Sequence, residues 1–505
     1  MRKKHLLVVG VSVLAIGTGL SWVTLCRGQT SPSPPAPTAI AEPAINPEVV
    51  TCNITPDVQG SPPKPTPITR ELLTRDLPCA PRVTAAGLTS DPLTNLQRGF
   101  DFFSWLTFIA LNSPADAGKS IGQGPGPGGD APTVWESYKQ LPDVMLDKGA
   151  RPLAWNVLSK APEECQRLGT SGPGTMVIHI QDETFNQPFK SGPLIDQNGS
   201  YALFVILMNQ PMFEYIRQND LYSREGQEKF SDPAGLARVI DFPDGVVTQD
   251  RKGKIGAIML KASWKVLGDN DDPKQFHTVT GLIYTPASQN PKREATCIKQ
   301  PLGLVGFHIG HKDVDHPQWV WSTFEHVKNA PTQEEVDANA KDPTRNKLES
   351  NYNFYKPGRP ELPVNQIPPR PWNPAEQPFR DNFKSQITRV ISLMDEAKEL
   401  NEGFRKALKE VQQDNVWANY MLVSTQWPTD RSCAQDKEAR KTRPDPTCSP
   451  FPPFLANTTL ETFSQGDAPA SASSCIGCHN DATTLRKSAT PSDFTFILEK
   501  AQRAQ

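Results

Sequence analysis

The chain has almost no net charge. With 53 Lys and Arg against 55 Asp and Glu its formal charge is −2 at pH 7, so no overall field draws it to nucleic acid or an anionic membrane surface. Internal repeats are absent, which excludes a solenoid or propeller array. A look-alike of a phosphate-binding loop at Ala117–Ser120 lacks its first glycine. Ser113 stands in that place, and glycine-rich loop rather than helix follows. Cysteine and histidine are scarce, at 9 and 8 of 505 residues, so any grouping of them is informative. What the sequence has in excess is proline: 50 prolines and 33 glycines break many elements and predict a loop-rich body. The length leaves room for roughly two to four domains.

Arg2, Lys3 and Lys4 precede an apolar run from Leu6 to Leu25. A basic start followed by an apolar run reads as an export signal. Its length approaches what a bilayer span needs, so residues 1–29 are expected to be either a cleaved signal peptide or a retained membrane anchor. Leu25 before Cys26 is too large for a lipoprotein cleavage box. Residues 30–67 carry eleven prolines, and 30–84 reads as an extended spacer with no packed core.

The folded body is expected as a β-rich part over 85–378, a helix, strand and loop over 379–455, and a tail over 456–505. Leu96–Leu111 is apolar nearly all round and predicts a buried helix. Runs at Thr175–Ile180, Tyr201–Met208, Lys254–Leu267, Phe276–Thr285, Leu302–Ile309, Gln318–His326 and Val416–Trp427 are rich in β-branched and aromatic residues. They predict a mainly β, α+β fold of antiparallel sheets, with a sandwich as one arrangement. Residues 327–378 read as a polar surface excursion. Phe383, Ile387, Val390, Ile391, Met394, Phe404, Leu408 and Val411 recur at helical steps, with Asp381 as the expected N-cap.

Cys475-Ile476-Gly477-Cys478-His479 is a C-x-x-C-H string. Two thiols three residues apart on one helical turn can reach the two vinyl groups along one edge of a haem, and the adjacent imidazole then meets the iron. The pattern predicts one covalent haem c on Cys475 and Cys478, with His479 as the proximal ligand. A zinc site would want a second Cys or His pair nearby, and a thioredoxin-like site a βαβ setting; neither is present. No methionine follows His479. The small cytochrome domain that supplies Met from downstream is therefore excluded, and the tail must dock on the upstream body. Candidates for the sixth iron position or its pocket are His308, His326 and Met421, with His311 and Met394 behind them. Outside the targeting segment and this string six cysteines remain. In an exported chain they suggest disulfides, most simply Cys52–Cys79, Cys433–Cys448 and Cys165–Cys297.

Phe307–His326 holds four of the eight histidines. Strand alternation puts Val320, Ser322, Phe324 and His326 on one face and Trp319, Trp321, Thr323 and Glu325 on the other. His308 and His326 either face a shared pocket or are satisfied core histidines. His311 and His316 read as structural, and Lys312–His316 as a solvated turn.

Several strings taken together resemble a poorly characterised family of exported bacterial cytochrome-c-like proteins. They are Ser104–Asn112, Trp135–Lys139, Phe307–Ile309, Trp319–His326 and Ala456–Thr462, ahead of Cys475–His479; the resemblance covers roughly 95–490. It implies haem c and export, without a defined reaction. The functional expectation is an electron-transfer haem protein in the periplasm, or anchored facing it, that serves a redox partner protein. A haem oxidoreductase with an open iron position is the alternative. A third possibility is a ligand-binding β domain with an accessory haem, which would show exposed aromatic rows around Trp319 and Trp321.

Overall fold

A computed structural model describes residues 51–52, 58–59, 68–115, 132–169, 174–231, 239–247, 253–359, 362–375, 383–429, 450–466, 473–484 and 490–504, apart from 75, 82 and 85–91. Nine strands make one hydrogen-bonded sheet: β1 Lys139–Gln140, β2 Thr175–His179, β3 Leu203–Met208, β4 Ile258–Val266, β5 Thr278–Thr285, β6 Thr296–Asp313, β7 His316–His326, β8 Tyr420–Pro428 and β9 Pro450–Phe451. The order is β9-β8-β7-β6-β4-β3-β1, with β5 on β6 and β2 parallel to β5. The other pairings in this sheet are antiparallel.

The long strand β6 is where the sheet branches. Leu302 faces Val266 of β4 on one edge and Val279 of β5 on the other. Further along, Phe307 sits between Ala262 of β4 and Phe324 of β7. The strands β5 and β7 thus follow one another along the same edge. The protein is α+β and mainly β, and one ladder joins the nine strands.

Four helices bear on the site: α1 Pro92–Leu111, α2 Gln210–Gln218, α3 Asp395–Val411 and the one-turn α4 Cys475–His479. The apolar α1 lies on one face of the sheet. Phe108 stacks on Phe324 of β7 at 4.2 Å between ring centroids, and Trp105 stacks on Phe404 of α3 at 4.9 Å. Polar groups of α1 find partners on the sheet and on α3. Ser104 Oγ lies 2.6 Å from Ser322 Oγ and from Thr425 Oγ1. The Trp105 indole donates to Asn401 Oδ1 at 3.1 Å.

Several sequence expectations need correction. The helix read from Phe383 begins only at Asp395, with Met394 as its N-cap residue; Asp381 lies outside the described residues. Residues 383–390 are extended because their amides bond elsewhere: Ser385 donates to the Ile195 carbonyl, Ile387 to Phe354 and Arg389 to Pro331. Backbone partners at a distance thus outweigh the helical spacing.

The end of the expected spacer belongs to the body, since Leu73, Leu77 and Cys79 are buried in the main core. The 327–378 excursion contains a helix, Gln333–Lys341, and buries Phe354. The expected boundaries at 378 and 455 do not separate compact units; Ile45–Gln505 is one.

The Cys165–Cys297 bridge is present, with Cα atoms 5.1 Å apart, and Cys79 is also disulfide-bonded. Cys433 and Cys448 lie outside the described residues, as do Leu6–Leu25 and Ala117–Ser120. No helix among the described residues is long and apolar enough to cross a membrane.

Candidate functional site

The strand β7 shows alternate residues to two different neighbours. Val320, Ser322 and Phe324 meet α1, whereas Trp321, Thr323 and Glu325 meet the C-terminal residues. On that second face two rows run across the sheet. One is Ile206, Lys261, His308 and Thr323; the next is Met259, Gly310, Trp321 and Gln426. These rows form the floor of the site.

The chain from Asn457 to Glu461 is stitched to that floor. Asn457 Nδ2 donates to Thr323 Oγ1 at 2.9 Å and to the Phe324 carbonyl at 2.8 Å. Thr458 donates through its backbone amide to Glu325 Oε2 at 3.2 Å. Glu461 Oε2 accepts from the Asn457 amide at 3.0 Å and lies 3.2 Å from His308 Nε2. Thr459 presses on Gly306, where a Cβ would overlap its hydroxyl. Gly306→Ala should therefore loosen this segment and destabilise the chain by about 1–3 kcal/mol. A urea melt checks it, and an unchanged midpoint would show that Thr459 yields without cost.

The helix α4 is seated by β8. Gln426 Oε1 accepts from the Ile476 amide at 2.8 Å and from Ser474 Oγ at 3.2 Å. Ser474 caps the turn by accepting from the Gly477 amide at 3.0 Å. Ile476 enters an apolar cluster with Trp319, Trp321, Phe494 and Leu498. Cys475 and Cys478 are left as free thiols, each partly accessible. Burial, then the Glu461 carboxylate, pushes Cys478 up to about 11 and Cys475 well above the ordinary thiol range. Both are therefore neutral thiols at physiological pH.

The His479 ring lies 4.3 Å from the Trp321 ring. Its Nδ1 is 2.7 Å from the Phe494 carbonyl. A carbonyl can only accept, so Nδ1 carries the proton and Nε2 keeps its lone pair. Burial draws the imidazole down to about 4, against the opposing effect of the Phe494 bond, so the ring is neutral at pH 7.

The Phe494 carbonyl is itself held in place. Asp493 accepts from Lys312 Nζ at 2.6 Å, the Phe242 amide at 2.7 Å and the Trp319 indole at 3.4 Å. Trp319, Asp493 and Phe494 all have left-handed backbones, with φ of 66°, 51° and 59°. Such conformations survive where surrounding bonds over-determine them.

Of the histidines singled out in the sequence, His308 alone is brought beside α4; it acts electrostatically on His479. His326 is a satisfied core residue and no pocket wall. Its Nε2 bonds the Gln275 carbonyl at 2.9 Å, its Nδ1 accepts from the Lys328 amide at 3.1 Å, and its ring stacks on Phe276. Met421 pairs with Glu325, four positions along the ladder from the Trp321–Gln426 pair beneath α4. Met394 caps α3. His311 is buried against Phe103 on the α1 side, and neither ring nitrogen has a hydrogen bond among the described residues. Burial pulls it down to about 4.

His316 pairs with Asp313 at 2.9 Å. The turn expected to be solvated is so only at its tip: Val314 and Asp315 are exposed, whereas Lys312 and Asp313 are both 1 % exposed. Trp319 and Trp321 are buried rather than arrayed on the surface, so they provide no exposed aromatic row. Sequence reasoning missed Lys312 and Asp493 as site residues, because only the fold shows that both are buried.

Two free thiols on one turn, and an imidazole whose Nε2 is left open, match what covalent haem attachment needs from a protein. Comparison of the chain with family models, curated proteins and solved structures finds no match.

Proposed function

We propose that this chain is an exported c-type haem protein that transfers electrons to or from a redox partner protein. One haem c would be bonded to Cys475 and Cys478, with His479 Nε2 on the iron. The observation that carries the reading is the Nδ1 bond from His479 to the Phe494 carbonyl. That bond fixes the tautomer and the ring plane, and it leaves the correct nitrogen free. When bound, the haem would supply a reversible one-electron couple. The protein's share would be to orient the imidazole, present both thiols on one turn, and pack the His479 ring against Trp321 and Phe496. The basic, apolar N-terminus supports delivery to the periplasm, as a soluble form or tethered to the membrane, and the resemblance to exported cytochrome-c-like proteins agrees.

The test is expression in a host that matures c-type proteins, followed by haem staining of a denaturing gel. The native chain should stain and Cys475→Ala/Cys478→Ala should not. A colourless native chain, or a double variant that still stains, would end the proposal.

A second reading, a haem oxidoreductase with an open iron position, is favoured by the charged side chains facing α4. It needs one strong protein ligand rather than two, and carbon monoxide binding to the reduced protein separates the two readings.

A further inference from the structure

A left-handed backbone is costly away from glycine, about 1–3 kcal/mol per residue. Among the described residues, the buried non-glycine positions that adopt it are Trp319, Asp493 and Phe494. All three meet at one place, since the Trp319 indole donates to Asp493 Oδ1 at 3.4 Å and Phe494 follows Asp493 in the chain. What this gathered strain delivers is the Phe494 carbonyl, 2.7 Å from His479 Nδ1.

The Asp493 carboxylate is the hub. Its Oδ2 accepts from Lys312 Nζ at 2.6 Å and from the Phe242 amide at 2.7 Å. The lysine comes from β6 and the indole from β7, so the end of the tail is tied to two neighbouring strands of the sheet. Lys312 is fixed in its turn. Its amide donates to the Ala257 carbonyl at 3.0 Å, and its carbonyl accepts from the Gly245 amide at 3.0 Å. Gly256 packs so closely that a Cβ there would overlap that carbonyl. The mostly exposed Asp241 also touches Lys312 Nζ, whereas Asp493 is 6 % exposed and depends on the pair.

Trp321 and Phe496 flank the His479 ring, at 4.3 Å and 5.2 Å between centroids. A ring face does not distinguish Nδ1 from Nε2. The Phe494 carbonyl does, because it accepts only from the nitrogen that bears the proton. A donor bond from Nδ1 also enriches the ring and makes Nε2 a stronger ligand.

We propose that Lys312 and Asp493 are a positioning pair for the haem ligand: they hold the Phe494 carbonyl on His479 Nδ1 and so set the strength of Nε2 toward iron. The inference rests on the haem reading and names how the ligand of that same site is controlled.

Two variants test it. Asp493→Gly loses all three side-chain bonds but adopts the left-handed backbone without strain. Asp493→Asn loses the charge and keeps an oxygen acceptor. The first readout is nitrogen NMR of the full chain before haem loading, with the histidines labelled and His479 assigned from its loss in His479→Gln. The native chain should carry the proton on Nδ1. Asp493→Gly should carry it largely on Nε2, with Asp493→Asn between the two. The second readout is the midpoint potential of the haem-loaded protein. Weakening the ligand in Asp493→Gly should move the ferric-to-ferrous balance about tenfold toward ferrous, about 59 mV upward for one electron. Asp493→Asn should move it less. Should the glycine variant not fold, Asp493→Asn still has to show both changes relative to native. A native tautomer in either variant would overturn the inference. So would equal shifts of potential in the two variants, which would mark a plain loss of charge. A chain that takes up no haem fails on the stained gel, and the tautomer measurement still decides the positioning.

Discussion

Arg389→Met should cost the protein about 3–5 kcal/mol of stability. Arg389 is 3 % exposed and touches Glu325, which is fully buried in the middle of the site face. Without the guanidinium, Glu325 keeps only the Thr458 amide and hydroxyl among these partners. An uncompensated interior carboxylate is far more costly than a missing contact. The loss should reach the tail as well, since the neighbouring Val390 amide donates to Gln465 Oε1 at 3.1 Å. Urea midpoints measure it. Adding Glu325→Gln to the variant should recover a large part of the loss, because the orphaned charge goes with it. If the single variant melts within about 1 kcal/mol of native, or if the double variant is no better, the pair is not doing what its burial implies.

The second large effect is on pH dependence. Asp101 of α1 is fully buried, and burial raises its carboxyl to about 7 against the opposing bonds from Thr425 and Gln97. Between the ordinary carboxyl value and 7, the unfolded chain has lost this proton and the folded chain still holds it. The folded state therefore binds more protons in that window, and stability falls as pH rises through it. The drop is on the order of 4 kcal/mol between pH 4 and 7, after which this group adds no further change. Asp101→Asn cannot ionise and keeps an oxygen for the Thr425 amide. Its stability relative to native should thus improve steadily from pH 4 to pH 7 and level off above. A difference between variant and native that is flat over that range would show that Asp101 titrates normally.

What the sequence made legible was local. C-x-x-C-H is a spacing argument, and alternation along Trp319–His326 divides the residues between the two neighbours they meet. The strand runs at Tyr201–Met208 and Phe276–Thr285 lie where β3 and β5 form. What stayed hidden depends on long-range pairing. Ile387 and Val390 have helical spacing, yet their segment is extended because the amides of Ser385, Ile387 and Arg389 bond distant loops. His326 looked like a site residue since it ends a strand rich in aromatics. Only the fold shows both its nitrogens spent on the backbone of Gln275 and Lys328. Lys312 looked solvated beside Asp313 and Asp315, but Asp493 reaches it from the far end of the chain.

The double allegiance of β7 has a consequence for assembly. Everything that binds α4 and the 457–461 segment projects from one side of the strand, and everything that binds α1 projects from the other. The tail's contacts are therefore separable from the aromatic stack of Trp105, Phe108 and Phe324, a separation that the proposed haem uptake would use. Amide exchange should accordingly resolve two separately opening blocks, the tail yielding well before α1, with β7 as the seam between them.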